Sequence, residues 1–128
     1  MEKIPKNTAG CKVTIYLATG SYSVSSAISN KTGLSLGLCR LSENDTPQIT
    51  SALTFDETNY NCVFLIHGLT FNNALLSNYG YNNTSMHVDG CSFSGAGVDM
   101  RGYNLVSNCN FNNIAAGQSA IIVNFGTC

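Results

Sequence analysis

The sequence predicts an all-β fold, a single-stranded parallel β-helix (solenoid) of about five short coils, and three observations lead there. Three stretches align residue for residue: Phe64 to Ala74, Met86 to Ala96 and Asn104 to Ile114. Their starts lie 22 and then 18 residues apart, the length of one solenoid coil. Each copy carries like residues at like positions: Ile66, Val88 and Val106; then Leu69, Cys91 and Cys109; then Phe71, Phe93 and Phe111. Stacking the copies places these nine residues in interior columns. Between the first two columns lie Gly68, Gly90 and Asn108. A coil bends sharply there, and Gly and Asn are the residues that tolerate positive φ.

The remaining elements follow in chain order. Residues 12–17 alternate with period 2 and are rich in β-branched residues, which predicts a strand. Residues 18–20 turn it, residues 21–28 continue extended, and residues 32–39 form the next strand. Residues 40–61 read as an irregular coil or insertion. Within them, 42–47 give a turn signal and 49–55 supply one strand. The pairs Asn72/Asn112 and Asn73/Asn113 read as stacked turn residues. Residues 120–125 close the chain, and a fourth copy begins if Phe125 to Cys128 aligns with Val88 to Cys91. The whole of 1–128 is one domain, with 1–11 an N-terminal cap or arm. An unfinished last coil exposes core and strand edges, which a neighbouring subunit or a further coil would cover.

Composition limits the function classes. Only 10% of residues are charged, against about a quarter in a typical soluble domain; Asn, Ser and Thr fill roughly a third of the positions. The 44% hydrophobic content is that of a folding chain rather than a disordered one. Six scattered basic residues and a net charge of −1 offer no stripe for phosphates, so no nucleic-acid partner is expected. No run is apolar enough for membrane insertion, and the first residues lack the apolar core of a signal peptide. Of six cysteines, Cys91 and Cys109 fall in an interior column and behave as small hydrophobes. No Cys/His spacing suits zinc, so no metal or cofactor is expected and the thiols read as reduced and buried.

Candidate chemistry is sparse. His67, Asp89 and Ser107 form one outward column, but a triad needs histidine between serine and acid, and here aspartate is in the middle. Glycan hydrolysis needs two carboxyl groups about 5–9.5 Å apart. Asp89 and Asp99, with Arg101, are the best such group. Glu43, Asp45, Asp56 and Glu57 read as solvated turn charges. No catalytic residue is assigned. Tyr79, Tyr81 and Asn82 lie in a polar, glycine-bearing loop, where aromatic rings and amides suit sugar contact. The N-x-S/T matches at Asn30, Asn44, Asn82 and Asn83 are what this composition produces by chance.

Residues 4–23, IPKNTAGCKVTIYLATGSYS, resemble a segment of bacteriophage tail-fibre and other virion structural proteins, notably of phages of Gram-positive hosts. In that family an IPK-N…VTI-(V/L)A-G-Y pattern opens a right-handed parallel β-helix of the pectate-lyase type. The resemblance covers about twenty residues. It implies a viral structural or receptor-binding protein, made in the host cytoplasm and located in the virion. Its partners would be other virion proteins or itself, as a homo-oligomer such as a trimer, and cell-surface polysaccharide. The acid cluster of the family's enzymes has no counterpart here, so no catalytic residue is carried over. A polysaccharide lyase or hydrolase, or a remnant of one, is the alternative, and a bacterial adhesin repeat a third.

Overall fold

Parallel pairing between successive coils builds every sheet of the structure, a computed structural model describing residues 12–25, 35–55, 63–79 and 84–127. The strands are β1 (Lys12–Leu17), β2 (Gly20–Tyr22), β3 (Ser35–Arg40), β4 (Pro47–Ile49), β5 (Leu53–Phe55), β6 (Val63–His67), β7 (Thr70–Asn72), β8 (Leu76–Asn78), β9 (Ser85–Asp89), β10 (Ser92–Ser94), β11 (Val98–Ser107), β12 (Asn110–Asn112) and β13 (Ile121–Thr127). They stack on three faces. The first holds β1, β3, β6, β9 and the second half of β11. The second holds β2, β4, β7, β10 and β12. The third holds β5, β8, the first half of β11 and β13.

This is the predicted parallel solenoid, of about four turns and without helix among the described residues. Residues 1–11 and 26–34 lie outside the described residues, so the first coil is seen on two faces only. Residues 49–55, read from sequence as one strand in an irregular stretch, instead span the end of β4 and the whole of β5, two regular strands on different faces, and β4 begins within the expected turn.

The interior is a set of columns. Register places Leu38, Ile66, Val88 and Val106 in one line, and Ile49, Phe71, Phe93 and Phe111 in another. The phenylalanine rings stack nearly parallel, with centroids 4.7 Å apart for Phe71–Phe93 and 4.9 Å for Phe93–Phe111. That spacing is the inter-strand distance itself, so the backbone ladder sets the aromatic stack. On the third face Leu53, Leu76, Val98 and Ile121 form a third column.

The corners explain the glycines and asparagines. Gly68, Gly90 and Asn108 have φ of 69°, 61° and 51°, and turn the chain from the first face to the second. A second such corner leads to the third face: Asn73, Gly95 and Asn113 have φ of 50°, 81° and 55°. Gly95 sits between two asparagines because a Cβ there would clash with Asn73 Oδ1. Amide groups at these corners still donate to the next coil, as in Gly90 N to Ser107 O at 3.1 Å and Asn73 N to Ser94 O at 2.8 Å. The bends therefore keep the ladder continuous.

Coil length varies at one corner. The chain runs from Asn78 to Ser85 through a loop, but passes from Met100 to Tyr103 within β11 by a bend at Gly102, φ 77°. This accounts for repeat spacings of 22 and 18. The tight bend leaves backbone carbonyls pointing inward, and two buried amides meet them. Asn104 Nδ2 donates to Arg101 O at 2.8 Å, and Asn78 Nδ2 donates to the same oxygen at 3.3 Å and to Asn104 Oδ1 at 3.1 Å.

The fourth copy expected at Phe125 is corrected. Residues 113–120 of the last coil form a longer connection, with a turn closed by Gln118 N to Ala115 O at 3.0 Å. β13 starts nine residues after Asn112, whereas β11 starts four after Ser94. Gly126 therefore pairs with Gly102 and Thr127 with Tyr103, ahead of the repeat's start rather than on Ser107 and Asn108.

Phe93 is fully buried between two rings, whereas Phe111 has one ring neighbour and is partly exposed. Urea unfolding should show Phe93→Ala losing about 3–5 kcal/mol and Phe111→Ala clearly less. Equal losses would contradict this stacking.

Candidate functional site

The outward side of the first face brings together the polar residues singled out from the sequence. Alternation along β6, β9 and β11 turns His67, Asp89 and Ser107 outward, and their register makes them neighbours on successive coils. Asp89 is the hub. His67 Nδ1 lies 3.0 Å from its Oδ2, while Ser107 Oγ and Asn108 Nδ2 donate to its Oδ1 at 2.8 and 2.9 Å. These bonds hold the Asp89 carboxyl below the usual carboxylate range, with Asn108 and Ser107 the largest causes. Asn108 thus serves twice, as a corner with positive φ and as a donor.

A second histidine joins this group. His87, two residues before Asp89 on the same outward side, places Nε2 3.1 Å from Ser107 Oγ. The proton directions follow. Ser107 has one hydroxyl proton, and it is committed to Asp89, so its oxygen accepts from His87 Nε2–H. His67 likewise donates through Nδ1–H to the carboxylate. Neither imidazole offers its lone pair to the serine, so the hydroxyl has no base. Sequence reasoning missed His87 because its column partners are Leu65 and Leu105, which give no polar signal.

The same column contains Cys39, the register partner of His67 on the opposite side. The order Cys39–His67–Asp89 has imidazole in the middle, as a thiol triad requires. The details do not complete one. Cys39 is buried, desolvation pushes its thiol pKa up, and no hydrogen bond joins it to His67 among the described residues. The His67 ring instead leans toward Gly90 on the next coil. The aligned copies begin after Cys39, which hid this neighbour from the sequence.

Beside the polar cluster runs an open groove of about 270 Å³, lined by Val63, Ser85, Met86, His87, Tyr103, Asn104 and Leu105. Tyr103 and Leu105 are more than half exposed. The other candidates lie elsewhere. Asp99 points outward on the third face, so it and Asp89 belong to different faces and do not converge on one groove. Tyr79 is half-buried; its hydroxyl donates to Asp99 Oδ2 at 3.2 Å, and the Arg101 guanidinium sits 5.1 Å from its ring centroid. Tyr81, Asn82, Asp56 and Glu57 lie outside the described residues. Asp45 fastens a corner, accepting from Ser42 Oγ at 2.6 Å and from Thr19 N at 2.8 Å. No three His, Cys, Asp or Glu side chains among the described residues are placed to hold a metal ion.

The cysteine column is interior. Cys91 is buried and Cys109 partly so, both free thiols. Desolvation pushes Cys91 up to about 12 and also raises Cys109. Cys11, Cys62 and Cys128 lie outside the described residues.

Two outcomes test this geometry. A carboxyl with a depressed folded pKa contributes stability above its unfolded pKa and loses it as pH falls through the folded value. Wild-type melting temperature should therefore fall below about pH 4, and Asp89→Asn should lower it at pH 7 while flattening the acid decline. An unchanged acid profile in that variant would contradict the hub. Alkylation at pH 8 followed by peptide mapping should leave Cys91 unmodified until the chain unfolds; rapid native labelling would place it outside the core. Against known proteins, the chain matches no family model, no curated protein and no solved structure.

Proposed function

We propose that this protein is a non-enzymatic structural or receptor-binding component of a bacteriophage particle, a tail fibre, spike or similar part, contacting cell-surface glycans. The observation that supports it most is the state of the outward polar cluster. Asp89, Ser107 and both histidines spend their hydrogen bonds on one another across three coils. Such a network ties coils together, as a load-carrying rod needs, and leaves no poised nucleophile. The likeness of residues 4–23 to phage virion proteins supplies the phage part of the reading.

The groove beside that network is the better glycan surface of the described residues. Tyr103 is 59% exposed and flanked by Ser85 and His87, an aromatic ring beside groups that bond hydroxyls. Affinity at one such site is weak, and repetition along an oligomer multiplies it. The alternative, a polysaccharide lyase or hydrolase or its remnant, needs a carboxylate pair facing one groove, and its candidates Asp89 and Asp99 lie on different faces.

Incubation with purified wall polysaccharides of Gram-positive bacteria separates the two. The scaffold reading expects retention of the protein on one such polymer, several-fold weaker for Tyr103→Ala, with no new reducing ends or unsaturated products. Product release abolished by Asp89→Asn would establish the enzyme instead.

A further inference from the structure

We propose that the groove on the first face is a subsite for the acetamido group of a neutral, N-acetylated amino sugar. The inference rests on the glycan reading of this groove and adds which class of sugar it takes. The walls come from alternate strands. Ser85 and His87 of β9 form the floor, with Val63 and Leu65 standing on one neighbouring strand and Tyr103 and Leu105 on the other. Strands about 4.8 Å apart put those walls about 10 Å from one another. β6 is paired on both sides, by β3 and β9, yet Val63 and Leu65 are 47% and 39% exposed. This apolar wall lies in the middle of the stack, so its exposure owes nothing to either end of the chain.

His87 sets the polar requirement. Its Nε2–H donates to Ser107 Oγ at 3.1 Å, because the serine's own proton is committed to Asp89. The neutral ring then carries a lone pair on Nδ1, which has no hydrogen-bond partner among the described residues. The two ring nitrogens point away from one another, so Nδ1 is directed away from Ser107 and the polar cluster. A ligand N–H would satisfy it.

Charge narrows the class. None of the residues lining the groove is Asp, Glu, Lys or Arg. A uronate, a phosphate or a free ammonium would lose water there with no counter-ion to meet it. A plain hexose would set hydroxyls against Val63 and Leu105, where they find no partner. An acetamido group fits both demands. In a trans amide the N–H and the methyl lie on the same edge, so the N–H reaches His87 Nδ1 while the methyl rests on the aliphatic wall beside it. The carbonyl oxygen faces water, and the Tyr103 ring takes the apolar face of the sugar.

Re-acylation of a wall polysaccharide that retains the protein tests this. Its amino sugars are stripped of acetyl groups, then one portion is N-acetylated and another N-formylated. The two products carry the same charge and differ by one methyl per amino sugar. Retention should return with acetyl and be about fourfold weaker with formyl, the worth of one buried methyl. Val63→Ser with Leu105→Ser, both at exposed positions, should bind the two products equally. His87→Phe keeps an apolar ring without an acceptor and should weaken both. Circular dichroism checks that the variants fold; if they do not, the wild-type comparison of acetyl with formyl decides. Equal retention of the two products, or retention only by polymers without amino sugars, would overturn this inference and leave glycan contact standing. Retention by no polysaccharide would remove both.

Discussion

Backbone hydrogen bonds between adjacent coils hold successive strands parallel and in register, so a side chain meets the one at the same position on the next coil. This condition selects most of the sequence. Phe71, Phe93 and Phe111 stack because their strands pair residue for residue, and Ile66, Val88 and Val106 follow suit on the first face. A shift of one residue would turn each column from the axis to solvent. The corners obey the same condition, since Gly or Asn is needed wherever the chain turns without breaking the ladder. The outward network depends on it too: His67, Asp89 and Ser107 bond only because they are coil-to-coil neighbours.

Much of this was legible because the condition repeats. Three aligned copies reveal columns directly, and the Gly68/Gly90/Asn108 corner shows as a permissive residue in each copy. The second corner was half visible, through Asn73 and Asn113, because Gly95 interrupts the asparagine pair. Features carried by single coils were not legible. The tight bend at Gly102 and its buried partners Asn78 and Asn104 occur once, and a buried asparagine looks like a loop residue in sequence. The longer connection at 113–120 likewise shifted the register of β13 away from the one the repeat suggested.

The candidate site was legible in the same partial way. The outward column could be read, together with the central position of its aspartate. What turned it into a network was His87, one column over; Cys39, in a coil outside the alignment, is a register neighbour of His67 that adds no hydrogen bond. Both come close through stacking rather than spacing along the chain. The resulting pattern of donors, with every proton directed at Asp89 or at the serine that serves it, reads as a lateral clasp. Under the proposed function, that clasp would stiffen the solenoid beside the Tyr103 groove.

Disulfide trapping tests the register most directly. Thr70 and Ser92 are paired neighbours on the second face, about 4.8 Å apart and within disulfide reach. Thr70 and Ser94 are displaced by two residues, about 8 Å apart and beyond it. In a Cys91→Val, Cys109→Val background, Thr70→Cys with Ser92→Cys should oxidise readily in the folded chain, and Thr70→Cys with Ser94→Cys should not. Preferential bridging of the displaced pair would contradict the stacked register and everything derived from it.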